Sequence, residues 1–358
     1  MERVYNFSPG PAILPLPVLE KAQKELVNYG SAGMSVMEMS HRSAPYEEIQ
    51  KRAEETLRKL MGIPANYQVL FLQGGATTQF SAVPLNLMKT GRADYVDSGN
   101  FASNAIAEAR RFGQVNVVAS SKAINYVRVP ELDSSMFDPS ADYFHITTNN
   151  TIYGTRYAAL PETGAVPLVA DMSSNILGEV YDTNRFGLIY AGAQKNMGIS
   201  GLTVVIVRED LIGHARPETP VMLNYQTHAK SQSLYNTPPC FSVYMAGLVF
   251  EWLEALGGVA EMEKINRAKA GLLYDFLGNS KLFKGTAEAP WRSIMNVTYV
   301  LPNDALTDEF VKFCKARGLV NIKGHRLVGG IRASIYNAMP IEGVQALVAA
   351  MKEFEAGH

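Results

Sequence analysis

Val166-Pro-Leu-Val-Ala-Asp-Met-Ser-Ser174 and Leu188-Ile-Tyr-Ala-Gly-Ala-Gln-Lys195 are the two stretches that decide the fold. Each begins with a short apolar run and ends in polar residues, which is the pattern of a buried strand leading into a loop. The first run delivers Asp171 to its polar end, and the second delivers Lys195. Such runs, alternating with helical stretches, are typical of a parallel sheet covered on both faces.

Asp171 and Lys195 together suggest a cofactor site. A buried carboxylate beside a pyridinium nitrogen keeps that ring protonated and electron-withdrawing, and a lysine amine forms a Schiff base with an aldehyde. These two roles are the protein's share of pyridoxal 5'-phosphate (PLP) chemistry. The amine must be neutral to attack a carbonyl, and burial lowers the pKa of a lysine in that direction. The alternative is a surface acid and a surface lysine in two loops, which is the commoner explanation of either residue alone.

The middle of the chain alternates apolar strands with helical patterns. The predicted strands are 69–72, 93–96, 115–118, 143–147, 166–170, 188–191 and 202–207. This alternation predicts an α/β fold, in which a large domain is built on a mostly parallel seven-stranded sheet flanked by helices on both faces. The polar segment 211–239 is expected to form loops.

The two ends of the chain have a different character. The proline-rich segment 7–17 predicts an extended arm laid over the body. Further elements are expected as helices at about 17–29, 47–61, 243–256, 308–317 and 341–354 and as strands at 294–300 and 330–335. We therefore expect a large cofactor-binding domain of residues 15–257, and a smaller α+β domain of residues 1–14 and 258–358.

Composition limits the classes of partner. Hydrophobic residues make up 47% and charged residues 19%, and the formal net charge of -1 argues against binding to nucleic acid or an acidic membrane surface. No apolar stretch approaches the ~20 residues of a bilayer span, and the first residues lack a signal-peptide pattern, so we expect a cytoplasmic protein without a membrane partner. The two cysteines, Cys240 and Cys314, are too few for a disulfide framework or a structural metal site, and no metal is predicted.

A glycine pair after the first predicted strand suggests a phosphate site. Gln73-Gly-Gly-Ala-Thr-Thr-Gln79 leads into a helical pattern, and free amides with the Thr77 and Thr78 hydroxyls at a helix start favour an anion. The segment matches neither the dinucleotide fingerprint nor the P-loop. A plain helix start remains an open explanation. PLP, however, requires a phosphate site, an acid and a lysine together.

Other residues suit a planar ring and anionic substrates. Phe101 follows a strand and is able to stack on a ring, and Thr151 is able to donate to a ring hydroxyl, although an aromatic in such a place is more often part of the core. Arg332 lies in an apolar strand, where an unpaired guanidinium is costly, so it is expected to meet a carboxylate. An internal salt bridge is the alternative. The pairs His41-Arg42 and His325-Arg326 suggest a more highly charged group, but exposed pairs of this kind are common.

These residues resemble the phosphoserine aminotransferase family, in the class-V group of fold-type I PLP enzymes. The resemblance covers the whole chain. It rests on 6–12 (Asn-Phe-Ser-Pro-Gly-Pro-Ala), 39–43 (Met-Ser-His-Arg-Ser), 71–80, 149–154, 170–174, 192–196, 235–239 (Tyr-Asn-Thr-Pro-Pro) and 332–337 (Arg-Ala-Ser-Ile-Tyr-Asn). One departure is that the position of Phe101 is usually tryptophan in the family. A smaller ring still stacks but loses area and an N–H donor.

The resemblance implies a role for each candidate residue. The cofactor-binding residues are implied to be Ala76, Thr77, Phe101, Thr151, Asp171, Gln194, Lys195, Asn236 and Thr237. The substrate-binding residues are implied to be Ser8, His41, Arg42, His325, Arg326 and Arg332. In the family, the site is shared across a homodimer, with the asparagine-threonine pair and both histidine-arginine pairs acting from across the interface.

The implied reaction is a ping-pong transamination with Lys195 and Asp171 as the catalytic residues. Glutamate gives its amino group to the cofactor and leaves as 2-oxoglutarate, and 3-phosphooxypyruvate then becomes O-phospho-L-serine, a step of serine biosynthesis. Some bacterial members also aminate a phosphorylated four-carbon keto acid on the route to vitamin B6. Two rivals remain at this stage. One is a cysteine desulfurase, which needs a reactive cysteine such as Cys240, and the other is a phosphate-ligand sensor without chemistry.

Overall fold

The computed structural model describes residues 3–358. In this part of the chain the α-helices are α1 (Leu16–Glu25), α2 (Ala44–Met61), α3 (Gly75–Leu87), α4 (Asn100–Ala109), α5 (Tyr225–Lys230), α6 (Cys240–Ala255), α7 (Gly258–Asn279), α8 (Asp304–Lys315) and α9 (Ile341–Ala356). The strands are β1 (Tyr5–Asn6), β2 (Tyr67–Leu72), β3 (Arg92–Asp97), β4 (Gln114–Ser120), β5 (Phe144–Thr147), β6 (Asn149–Asn150), β7 (Thr155–Arg156), β8 (Leu168–Asp171), β9 (Leu188–Gly192), β10 (Thr203–Arg208), β11 (Lys284–Gly285), β12 (Asn296–Val300), β13 (Leu319–Val320) and β14 (Ile331–Ser334).

A seven-stranded sheet with the order β2-β10-β9-β8-β5-β3-β4 forms the centre of the molecule. β10 is antiparallel to both of its neighbours, and the pairings from β9 to β4 are all parallel. The expected mostly parallel sheet is therefore confirmed. β10 runs backward because residues 193–202 connect it to β9 without a crossover helix, and a connection that lacks a crossover returns the chain antiparallel.

Both faces of this sheet are covered, as the sequence predicts. Along β10, Val204 and Ile206 belong to one apolar cluster, and Val205 and Val207 belong to the other. This alternation is the two-residue period of a strand. Side chains of α2 and α6 cover the first face, and side chains of α3 and α4 cover the second.

Some element limits differ from the sequence expectation for local reasons. The strand expected from residue 166 begins at Leu168, because Pro167 has no N–H for the ladder. The helix expected at 308–317 starts earlier, at Asp304, because the Asn303 side chain accepts the Leu306 N–H at 2.9 Å and caps it. The segment expected to be all loop contains the short helix α5, which Asn224 caps in the same way.

A second, smaller core lies in the C-terminal part of the chain. The sheet β11-β12-β14 packs with α8, α9 and the second half of α7. The N-terminal arm joins it, because β1 pairs with β13 in parallel and Phe7 lies in the same apolar cluster. Helix α7 contributes Met262 to the first core and Leu273 to the second.

A buried polar network joins the two cores. The Asn149 side-chain nitrogen donates to Ser174 Oγ at 2.7 Å and to Asn296 Oδ1 at 2.8 Å, and its Oδ1 accepts the Ser293 hydroxyl at 2.6 Å. Asn296 in turn donates to the Tyr336 hydroxyl at 3.1 Å. Buried polar groups are costly unless they are all paired, so this network fixes β12 and β14 against the end of β8.

Replacing Asn149 by alanine is expected to lower the free energy of unfolding by about 2–3 kcal/mol, because the buried Ser293 hydroxyl loses the acceptor of its proton and the buried Asn296 Oδ1 loses its donor. Urea unfolding measures the change. The matched control is Asn184→Ala, an exposed asparagine, for which we expect a change within about 0.5 kcal/mol. Equal losses in the two variants would contradict the role of the network.

Candidate active site

The predicted site residues converge at the carboxyl edge of the large sheet. β5, β8 and β9 are parallel neighbours, and they end at Thr147, Asp171 and Gly192. In open α/β sheets this edge is the usual location of ligand sites. Three loops that follow these strands supply Thr151, Ser173 and Lys195.

Lys195 lies at the centre of this edge. Its Nζ donates to Thr151 Oγ1 at 2.8 Å and lies 5.2 Å from the centroid of the Phe101 ring. The structure therefore brings together three residues that sequence analysis assigned to the cofactor from three separate segments. A ring bound to Lys195 has an aromatic neighbour and a hydroxyl donor within reach.

Burial lowers the pKa of Lys195 to about 8, and the nearby positive charge of Arg332 acts in the same direction. The Asp171 carboxylate opposes this shift, because it favours the charged amine. Near neutral pH the protonated amine still predominates, but the neutral fraction is far larger than that of an ordinary lysine. The neutral amine is the state that attacks a carbonyl.

Asp171 is a buried carboxylate at the end of β8. Its Oδ1 accepts the Ser173 N–H at 2.9 Å, and no cationic group within residues 3–358 is hydrogen-bonded to its Oδ2. Burial raises the pKa of this carboxyl, whereas the Ser173 hydrogen bonds and the Lys195 charge act to lower it. A protonated ring nitrogen is the kind of cationic donor that the free oxygen lacks.

Arg332 lies on β14 and is buried. One of its terminal nitrogens donates to the Thr151 carbonyl at a long 3.4 Å, and its Nε has no partner within the described chain. The alternative of an internal salt bridge is not observed among residues 3–358. A buried guanidinium with an unused N–H is a site for an anion, and its planar fork suits a carboxylate.

The glycine turn after β2 forms the start of α3. Gly74 has a left-handed φ of 95°, and the first-turn amides of α3, which include those of Ala76 and Thr77, have no partner inside the helix. Thr78 differs from expectation, because its hydroxyl donates to the Gly74 carbonyl at 2.8 Å. The anion site at this turn thus consists of amides and the exposed Thr77.

The segment with Asn236 and Thr237 lies beside the same turn. Gln73 Nε2 donates to the Thr237 carbonyl at 3.0 Å, and both Asn236 and Thr237 have exposed side chains. Within one chain, neither of these side chains forms a hydrogen bond to any of the described residues. They are free to contact a second copy.

The N-terminal arm packs directly onto the lysine loop. The Ala12 N–H donates to the Gln194 carbonyl at 2.9 Å, and a Cβ added at Gly10 would lie 3.1 Å from Lys195 Cγ. The Tyr336 hydroxyl donates to the Pro9 carbonyl at 2.7 Å. The half-buried Ser8 is therefore carried to the side of the site on which Arg332 lies.

The two histidine-arginine pairs are placed differently. Burial lowers the pKa of the His325 imidazole, and the nearby positive charges of Arg332 and Arg326 lower it further. Both His325 and Arg326 belong to the turn that leads into β14. His41 and Arg42 precede α2, and no hydrogen bond or ion pair of the described chain links them to the group around Lys195. The His41 Nε2 is buried without a partner.

Cys240 does not have the environment of a reactive thiol. It is the first residue of α6, and burial raises the pKa of its thiol, with the Tyr46 hydroxyl as its neighbour. A nucleophilic cysteine needs a lowered pKa and access to the cofactor. The structure therefore gives no support to a cysteine desulfurase.

Several supporting residues are absent from the sequence expectations. Ser173 orients Asp171, and Tyr336 ties the arm to β14. The Asp-x-Ser spacing is a usable signal for Ser173, because a serine two residues after an acid often returns an N–H to it. Tyr336 carries no such signal, since its partners lie far away in the chain.

The donor set fits PLP. The free Asp171 oxygen, the partly neutral Lys195 amine and the open amides of α3 match a ring nitrogen, an aldehyde and a phosphate. No group in this arrangement is left without a counterpart on that cofactor.

The chain is similar to known proteins along nearly its whole length. The family model described as aminotransferase class-V matches residues 4–347. A phosphoserine aminotransferase of Bacillus cereus is 58% identical over 356 residues, which are 99% of each chain. A solved phosphoserine aminotransferase from Bacillus circulans subsp. alkalophilus matches with a TM-score of 0.97 and 49% identity, covering 100% of this chain and 99% of that one. A PLP-bound phosphoserine aminotransferase from Trichomonas vaginalis matches with a TM-score of 0.93 and 40% identity, covering 98% and 100%.

Competitive acetylation of the cofactor-free protein, read by mass spectrometry, is expected to label Lys195 increasingly as the pH rises through about 8, because the neutral amine is the reactive form. Lys264 is the internal control, since its exposed amine has a pKa raised above 10.5 by Glu261. If Lys195 followed the same pH profile as Lys264, the lowered pKa would be wrong.

Proposed function

The chain belongs to the class-V aminotransferase family and is a PLP-dependent phosphoserine transaminase, and we propose that the residues grouped around Lys195 are its active site. It transfers the amino group of glutamate to 3-phosphooxypyruvate, which yields 2-oxoglutarate and O-phospho-L-serine in serine biosynthesis. The observation that carries the site assignment is the position of Thr151. Its hydroxyl meets the Lys195 amine at 2.8 Å, and its carbonyl meets the Arg332 guanidinium at 3.4 Å.

Bound PLP supplies an electron-accepting ring and an aldehyde carbon that carries the amino group between the two half-reactions. In our proposal, Asp171 would face the ring nitrogen, Phe101 would lie against the ring and Thr151 would donate to its hydroxyl. The amides of Ala76 and Thr77, with Gln194, would hold the phosphate. Asn236 and Thr237 of the partner subunit would complete the phosphate site.

Lys195 is the proton carrier in this proposal. Its Nζ would take the proton from the substrate Cα in the first half-reaction and would return a proton to the corresponding carbon in the second. The pKa of about 8 keeps the amine able to accept and to donate a proton near neutral pH. The buried Asp171 would hold its negative charge against the ring nitrogen and would keep that nitrogen protonated.

Arg332 is proposed to bind the substrate α-carboxylate, with Ser8 beside it. The support is its burial, its unused Nε and the absence of a competing acid within residues 3–358. Glutamate and 3-phosphooxypyruvate both carry a carboxylate next to the reacting carbon, so the same guanidinium group serves both half-reactions.

The substrate's second anionic group is proposed to meet the histidine-arginine pairs. This group is a carboxylate in glutamate and a phosphate in phosphooxypyruvate, which favours mobile arginines over a closed isosteric cavity. Arg42 and Arg326 are both exposed, and neither has an acidic partner in the described chain. We propose the phosphorylated four-carbon keto acid of the vitamin B6 route as a second substrate. The exposed arginine side chains are not fixed by packing, so they are able to reach the phosphate of a longer molecule.

A homodimer with shared sites is part of the proposal. Among residues 3–358, no hydrogen bond or ion pair connects Arg42 and His41 to their own site, whereas His325 and Arg326 belong to the turn before β14, close to their own Arg332. We therefore infer that Arg42 serves the partner's site and Arg326 serves its own. A cytoplasmic location belongs to the same proposal, because Cys240 and Cys314 are both free thiols.

Replacing Arg332 by glutamine is expected to raise the half-saturating glutamate concentration about 100-fold or more, because a desolvated charge pair with the carboxylate is lost. A coupled assay of 2-oxoglutarate release measures it, and the visible absorbance of the bound cofactor is expected to stay unchanged. The control is Arg128→Gln, which removes a more exposed ion pair with Glu288. An unchanged half-saturation in the Arg332 variant would contradict the carboxylate role.

Subunit mixing tests whether Arg42 and Arg326 each serve their own site or that of the partner subunit. Inactive Lys195→Ala protein mixed with Arg42→Ala protein is expected to regain about a quarter of wild-type activity, because half of the dimers are mixed and each has one complete site. The matched mixture of Lys195→Ala with Arg326→Ala is expected to regain none, since both sites of its mixed dimer are defective. Recovery in the second mixture and not in the first, with subunit exchange confirmed by mass, would reverse the assignment.

A further inference from the structure

Lys269 is a buried lysine that the reaction does not use. It lies in the middle of α7, with no measurable exposure of the residue. No carboxylate in the described chain forms an ion pair with it. Its Nζ instead donates to four backbone carbonyls, those of Ile335 at 2.9 Å, Tyr336 at 2.8 Å, Asn337 at 3.4 Å and Met339 at 3.0 Å.

This arrangement resembles a cation held in a cage of carbonyl oxygens. Burial lowers the pKa of Lys269 to about 7. The four carbonyl dipoles oppose that shift, because they favour a positive charge and an ammonium offers more donors than a neutral amine does. An uncompensated buried amine is costly, so the contacts to the cage decide where the segment 335–339 lies.

The caged segment, residues 335–339, connects the strand that carries Arg332 with the loop that carries Lys195. It follows β14 directly, and β14 carries Arg332. Within the caged segment, the Asn337 N–H donates to Asn196 Oδ1 at 2.9 Å. Asn196 directly follows Lys195 in the chain. A shift of this segment therefore changes the distance between the guanidinium and the lysine amine.

We propose that Lys269 is a positioning residue that sets the place of Arg332 relative to Lys195 through the carbonyl cage of residues 335–339. The proposal rests on the carboxylate-binding role of Arg332. The hydrogen bond from Lys195 Nζ to Thr151 Oγ1 does not involve the cage. Loss of the cage is therefore expected to weaken substrate binding more than it slows the chemical step.

The test uses the PLP-loaded enzyme with Lys269→Met, which keeps most of the side-chain volume but removes the charge and the donors. Glutamate is added, and the decay of the cofactor absorbance band gives a half-saturating concentration and a maximal rate. We expect the half-saturating concentration to rise about 10-fold to 100-fold, because a displaced guanidinium no longer meets the substrate carboxylate in its bidentate geometry. We expect the maximal rate to change much less.

A matched variant controls for loss of stability. Leu273→Ala lies one turn further along α7 in the smaller core, and such a truncation is strongly destabilising. It is expected to lower the melting temperature without changing the half-saturating glutamate concentration. An equal rise in both variants would overturn the positioning role. Lys269→Gln, which retains two donors, is expected to give an intermediate rise.

Three further outcomes are decisive. If neither Lys269 variant folds while Leu273→Ala does, Lys269 is needed for the fold itself and the positioning role fails. If Lys269→Met leaves half-saturation unchanged while Arg332→Gln raises it, the cage proposal fails and the proposed site stands. If neither Lys269→Met nor Arg332→Gln changes the half-saturating glutamate concentration, the carboxylate-binding role of Arg332 is wrong. The Lys269 proposal, which rests on that role, then fails with it.

Discussion

The site depends on how three charged groups are buried at one sheet edge, where no ion pair among residues 3–358 neutralises them. Lys195, Asp171 and Arg332 are held by neutral partners instead. Thr151 contacts the lysine and the guanidinium, and Ser173 contacts the carboxylate. Burying a charge in this way costs stability unless a ligand later completes the pairing. The edge is therefore prepared for a ligand that carries a cation, a carbonyl and a carboxylate.

The rest of the fold keeps these groups at fixed distances. Asp171 and Lys195 come from neighbouring strands of the large sheet, whereas Arg332 comes from the smaller core. The link between the two parts is polar and fully buried, through Asn149 and Asn296 on one side and through Asn196 and Asn337 on the other. Directional hydrogen bonds define a relative position more sharply than apolar contacts do.

Sequence patterns predict the large sheet and the position of Asp171 and Lys195, because buried parallel strands are continuous apolar runs with polar residues at their ends. They do not predict the reversed direction of β10, which depends on the absence of a crossover helix. Phe101 and Thr151 are predictable as candidates, but their distance to Lys195 depends on how separate loops fold together. Lys269 is the least predictable, since a lone lysine in a helical pattern indicates a solvent-exposed face.

The most direct test of this account is the visible absorption spectrum of the purified, PLP-loaded protein during stepwise addition of substrates. Glutamate is expected to remove the yellow band, and 3-phosphooxypyruvate is expected to restore it, because each half-reaction changes the state of the same cofactor on Lys195. Lys195→Ala protein is expected to show neither change at a comparable rate. A wild-type band that does not respond to glutamate, or that returns equally well with unphosphorylated pyruvate, would contradict the account.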